Sequence, residues 1–152
     1  MLLSATKQNI YNHCLSILNQ KIEELNSALS SAVESANNET KSSAGDKHET
    51  ARAMMQLEQE KLSKQLSELL EQKSEFEKID ISKLYNQISK GTLIKSDKGY
   101  LFLSIGLGKI GVENKTVYVI SPQSPLGKLL LGKKENDVVE MNNVKYTIQK
   151  LF

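Results

Sequence analysis

The sequence predicts an α+β protein in two parts: an antiparallel α-helical coiled-coil hairpin over residues 1–80, then a small α+β domain over 81–152. Three observations carry this. Apolar residues recur at spacings of three and four through the first half. Short alternating runs replace them in the second half. The charge also changes sign: residues 1–80 hold 9 Lys/Arg against 13 Asp/Glu, and residues 81–152 hold 11 against 5. Halves of opposite sign suggest modules with different partners.

The first seam is Leu15, Leu18, Ile22, Leu25, Leu29, Ala32 and Ala36, the repeat of a coiled coil, with no Pro or Gly before Gly45. A second seam runs through Met55, Leu62, Leu66, Leu69 and Phe76, interrupted by Gln59 and Lys73. Two antiparallel seams should pair at a constant sum of residue numbers. Leu29 with Met55, Ile22 with Leu62, Leu18 with Leu66 and Leu15 with Leu69 all sum to 84. That register puts the turn near Ser42, inside ANNETKSSAGD, and the tip near residues 37–47. At about 1.5 Å per residue, the arm from Leu15 to the tip spans roughly 40 Å. A long parallel dimer would carry Gly45 and its neighbouring serines as continuous helix, which their propensities disfavour.

After Ile79 the period changes. Ile81, Leu84, Tyr85 and Ile88 predict one more helical face, closed by Gly91. Strands are expected at YLFLSI (100–105), TVYVIS (116–121), DVVEM (137–141) and VKYTIQKLF (144–152), with Asn142-Asn143 as a tight turn. Ser124 is a good N-cap, Pro125 suits a first helical turn, and Gly132 ends a helix of barely two turns. GLGKIG (106–111) fits the dinucleotide fingerprint in letters only. That site needs a helix to start at the glycines, and VENKTVYVIS reads as a turn and a strand, so a hairpin connection is expected.

Composition narrows the function classes. The single cysteine, Cys14, excludes an internal disulfide and fits a reducing compartment. With only His13 and His48 beside it, a zinc site is disfavoured and no stably bound metal is expected. MLLSATKQN lacks the apolar run of a signal peptide, and no stretch approaches a membrane span, so a cytoplasmic protein without a membrane partner is expected. The basic half holds no tight Lys/Arg cluster interleaved with aromatics. Sequence-specific DNA binding is therefore not expected, and an acidic protein surface is at least as good a partner.

A long helical hairpin followed by a domain ending in SPLGKLLLGKKENDVVE…YTIQKLF resembles the GreA/GreB family of bacterial transcript cleavage factors. The motif residues present are Ser124, Pro125, Leu126, Gly127, Leu130, Leu131, Gly132, Lys133, Asp137, Val138 and Val139. The resemblance implies an FKBP-like C-terminal domain that docks on bacterial RNA polymerase through Ser124, Pro125 and Leu126. It also implies a hairpin that enters the secondary channel and reaches the nascent RNA 3′ end. GDKHETA (45–51) puts Asp46 and Glu49 on the family's two acidic tip positions. There they would share a Mg²⁺ ion with the polymerase and stimulate cleavage of backtracked RNA. The polymerase would be the enzyme, and this chain would need no cofactor of its own. Asp-x-x-Glu is also the pattern of a capping box at the start of the second helix, and both roles remain open. After Ala51 the chain reads RAMMQLEQE instead of the family's Glu-Tyr-His-Ala-Ala-Arg run, and Gln123 replaces an Asp common before the Ser-Pro pair. The alternatives are a non-cleaving channel regulator or inhibitor, and a coiled-coil adapter unrelated to transcription.

Overall fold

The computed structural model describes the backbone of residues 2–42 and 46–152 and the side chains of 6–37 and 49–152. Two long helices, α1 (Leu2–Ser42) and α2 (Asp46–Glu77), precede a mixed six-stranded sheet with one short helix, α3 (Pro125–Leu130). The protein is α+β. It divides into two compact units, residues 16–73 and residues 1–15 with 74–152.

The helical unit buries one stripe of each helix. Leu18 and Leu62 are buried, and Ile22, Leu25, Leu29, Ala32, Ala36, Met55, Gln59, Leu66 and Leu69 are half-buried, all at spacings of three and four. Three residues separate the helices and can bridge only about 10 Å, whereas each helix runs roughly 40 Å within the unit. Helices of that length in one compact unit must double back, which fits a helical hairpin. In the other unit Tyr11 and Phe76, which sum to 87, stack with ring centroids 4.6 Å apart. A seam repeating every three and four residues sets each side chain against partners about a turn apart on the facing helix, so this pair fits the expected sum of 84 as well as a register three residues away. The expected tip at 37–47 lies mostly outside the described side chains.

In the other unit the strands are β1 (Leu93–Ser96), β2 (Gly99–Leu103), β3 (Gly108–Val112), β4 (Lys115–Ile120), β5 (Val138–Met141) and β6 (Val144–Leu151), in the order β3-β4-β2-β1-β6-β5. Among the described residues, only β2 and β4 pair in parallel. Alternation sends Ile94, Leu101 and Leu103 to one face, and the register shift opposite Lys95/Ser96 lets both Ile148 and Leu151 of β6 join them; Leu126 and Leu130 of α3 close this core with Ile88 and Val139. Phe102 points the other way and meets Phe76 edge-on at 6.0 Å. This second face explains why the unit takes the first 15 residues rather than starting at 81. Ile10 and Cys14 are fully buried, Lys7 donates to the Phe152 carbonyl at 2.9 Å, Lys115 reaches Thr6 Oγ1 at 3.4 Å, and Asn9 bonds Glu113.

The four expected strands are present within a residue or two at most ends. Asn142 and Asn143, both at positive φ, make the tight turn between β5 and β6. GLGKIG is followed by no helix: its last four residues belong to β3, which turns through Glu113-Asn114 into β4. The helix expected over Ile81–Ile88 is absent. Asp80 Oδ1 accepts from both the backbone N–H and the hydroxyl of Ser82, closing a local turn that competes with helix. Ile88 instead exchanges backbone hydrogen bonds with Gly132 and Lys133, both at 2.8 Å.

Candidate functional site

The Ser-Pro motif is a tightly specified helix start. Ser124 has extended backbone (φ −67°, ψ 157°), and its Oγ accepts from the Gly127 N–H at 3.0 Å while donating to the Ser121 carbonyl at 2.6 Å. Pro125 follows where a missing N–H costs nothing. Gly127 is there because of close approach: a Cβ at this position would lie 2.0 Å from the Ser121 oxygen. Gly132, at φ +82°, ends the helix as expected. Further on, Asp137 Oδ2 accepts from Lys134 N at 2.8 Å, the Asp137 carbonyl accepts from Ile148 N at 2.9 Å, and Glu135 Oε1 accepts from Leu151 N at 3.2 Å. Most of the motif therefore has a folding role that its residues explain.

Of the three expected docking residues, Pro125 is exposed, Ser124 is half-buried, and Leu126 is only 8% exposed inside the core. Leu126 and Leu130, four apart, both point inward, so Leu129 and Leu131 present the apolar surface of this segment at 42% and 43% exposure. Val138 on β5, which packs beside α3, is 55% exposed. Leu129 was not legible as a surface residue from the sequence. The signal was the i, i+4 inward pair, which a two-turn helix makes hard to read.

At the other candidate site, α2 begins at Asp46, so Asp46 and Glu49 both fall in its first turn. Glu49 is exposed. Gly45 and the Asp46 side chain lie outside the described residues. Among the described residues, no three His, Cys, Asp or Glu side chains gather as a metal site. Cys14 is buried, and burial pushes its thiol up to about 12.

A groove of about 370 Å³ in the sheet unit had no counterpart in the sequence analysis. Glu75, Lys78, Ile79, Asp80, Lys83, Tyr85 and Lys90 line it. Glu75 holds Lys78 at 3.0 Å and Lys90 at 3.1 Å, and these contacts keep its carboxyl below its ordinary range. The ammonium groups of Lys7 and Lys83 lie 4.9 and 5.3 Å from the Tyr85 ring centroid. Burial lowers Lys7 to about 8, against a partial opposing pull from Asp80. No local pattern joins Lys7 to Tyr85, so only the fold reveals them together.

The chain matches no protein-family model, no curated protein and no solved structure.

Proposed function

We propose that this chain is a cytoplasmic RNA polymerase-binding elongation factor whose helices form a coiled-coil hairpin that enters the polymerase's secondary channel. In this reading the sheet unit is an FKBP-like platform that docks at the channel rim. The observation that carries the proposal is the start of α2 at Asp46, which puts Asp46 and Glu49 in the first turn at the turning end of the hairpin. Two carboxylates there suit delivery of negative charge into a deep channel. Hard cations take carboxylate oxygens, so Asp46 and Glu49 would help hold a Mg²⁺ jointly with the polymerase. When bound, that ion supplies Lewis acidity and lowers the pKa of attacking water. The hydrolysis of backtracked RNA remains the polymerase's own reaction.

Docking would use Ser124 and Pro125 together with the apolar surface of Leu129, Leu131 and Val138. Leu126 would act from beneath by fixing α3 in place, as its burial requires.

The test is a stalled-elongation-complex assay with Asp46→Asn beside a binding measurement on the same polymerase. Asn matches Asp in size and shape but cannot supply the charge a hard cation needs. Tight binding with no stimulated cleavage by Asp46→Asn supports the metal role. Full cleavage by that variant removes it for Asp46. Tight binding without cleavage by the wild type establishes a non-cleaving channel regulator, and no binding at all leaves the adapter reading.

A further inference from the structure

We propose that the open part of the sheet carries a binding site for the backbone of single-stranded nucleic acid, built from Lys150, Lys95, Tyr100 and Lys115. These residues are scattered over 56 positions of sequence, and strand pairing brings them into one row. Lys95 of β1 lies directly opposite Lys150 of β6 on one side and Tyr100 of β2 on the other. Directly opposed residues share a sheet face, with neighbouring strands roughly 5 Å apart. Lys115 adds a third ammonium 5.8 Å from the Tyr100 ring centroid. Lys95 and Lys150 are exposed, and Tyr100 and Lys115 are half-exposed.

The Lys95–Lys150 pair breaks a rule that the same strand obeys elsewhere. Like charges directly opposite each other destabilise a sheet, and opposite charges stabilise it. Five residues earlier on β6, Lys145 faces Glu140 of β5. Among the described residues, carboxylates pair with Lys78, Lys90 and Lys98, and none pairs with Lys95, Lys115 or Lys150. A register irregularity falls between Lys95 and Ser96, beside the pair, where bulges commonly re-aim side chains near functional sites. Within the chain the Lys150 ammonium lies 5.5 Å from the Phe152 ring centroid and Lys115 reaches Thr6 Oγ1 at 3.4 Å, contacts that supply no counter-charge. Local rules that a fold breaks are expected where function is served.

A polyanion running across the strands would supply the counter-charge that Lys150, Lys95 and Lys115 lack along this row. The aromatic ring within the row favours nucleic acid over an acidic peptide, because a base can stack on Tyr100 while its phosphates meet the lysines. Phosphate contacts of this kind carry no sequence preference. The site needs no polymerase, so it stands or falls separately from the function proposed above.

The experiment uses the full chain and a fluorescent oligouridylate of about a dozen nucleotides, with binding followed by polarisation between about 50 and 200 mM salt. Lys95→Glu would put a carboxylate opposite Lys150, and Lys128→Glu, on the exposed side of α3, is the control of equal charge change. The expected wild-type affinity is on the order of 10⁻⁴ to 10⁻⁶ M, weakening with salt. Lys95→Glu should weaken binding by about tenfold or more and flatten the salt dependence, while its Tm is equal to or above wild type. Tyr100→Leu should weaken binding without changing the salt slope. Equal loss in Lys95→Glu and Lys128→Glu would reduce the effect to net charge and overturn the site. So would no wild-type binding at low salt, or binding of an oligoglutamate peptide with none of the oligonucleotide.

Discussion

The two compact units bury their apolar residues to different depths. In the sheet unit, Phe76, Leu93, Ile94, Phe102, Leu103, Val117 and Ile148 are entirely inaccessible. Among the described residues of the helical unit, only Leu18 and Leu62 of the hydrophobic ones are buried, while Met54, Leu57, Leu70 and Val33 lie exposed. The cause is geometric. A sheet covered on both faces surrounds a side chain in three dimensions, whereas a pair of helices shelters only the stripe between them. The helical unit therefore draws less stability per residue from burial and should open locally at lower free energy than the sheet.

Phe76→Ala should be the most damaging single change on the sheet side. The ring has no solvent exposure, stacks on Tyr11 and meets Phe102 edge-on. Its loss should cost about 3–5 kcal/mol in urea unfolding. A loss near that of a surface substitution would mean that the second face of the sheet is not a real core.

Gly127→Ala comes next and tests shape rather than burial. A Cβ within 2.0 Å of the Ser121 oxygen cannot be accommodated by a rotamer change, since the obstacle is backbone. The start of α3 must shift, at about 1–3 kcal/mol if it behaves like other overpacked sites. Ser124→Ala, which removes the cap alone, should cost about 1 kcal/mol. If Gly127→Ala costs less than Ser124→Ala, the close approach is not maintained in solution.

Leu25→Ala should be milder than Phe76→Ala because its side chain is only half-buried. Hydrogen exchange sharpens the same contrast: amides in residues 16–37 and 49–73 should exchange faster than those of β1, β2 and β6. Equal protection in both units would remove the proposed difference in stability.

What could be read from the sequence follows the range of the interactions. Ser124, Pro125 and Gly132 were legible because a cap and a helix stop are decided within a few residues. YLFLSI and TVYVIS were legible because alternation is visible in a single strand. LIKS, at four residues, and GKIGV, with two glycines, offered too few side chains to show a period, so β1 and β3 were missed. The false helix over Ile81–Ile88 had the right spacing by coincidence, and Leu84 is 87% exposed. The hairpin register was not legible from spacing alone, because heptads are degenerate under a slide of half a repeat. The docking surface was half legible: Pro125 is outward, but Leu126 serves the core and Leu129 takes the exposed place. The lysine row and the Tyr85 groove depend on pairings tens of residues apart, which no local pattern encodes.

The smallest expected effect is a pH dependence confined to the sheet unit. Lys7 is lowered from 10.5 to about 8 by burial. Between those values the unfolded chain binds the extra proton, so stability rises with pH. Cys14 acts in the opposite sense: burial raises it from 9.0 to about 12, and over that range the folded chain keeps the proton, so stability falls with rising pH. Tyr11 and Tyr85, also raised by burial, add to the fall above about pH 10. Wild-type Tm should therefore climb gently from about pH 8 to 9 and then level or decline as the opposing groups titrate. Lys7→Met separates the contributions, because it keeps an apolar stem of similar length while removing the ammonium. The Phe152 carbonyl that Lys7 contacts still accepts from the Leu93 N–H at 3.0 Å, so the substitution orphans no acceptor. Lys7→Met should leave the protein folded, at least as stable at pH 7, and without the climb. Cys14→Ala should keep the climb and soften the later decline. An unchanged climb in Lys7→Met would show that the buried ammonium is not its source.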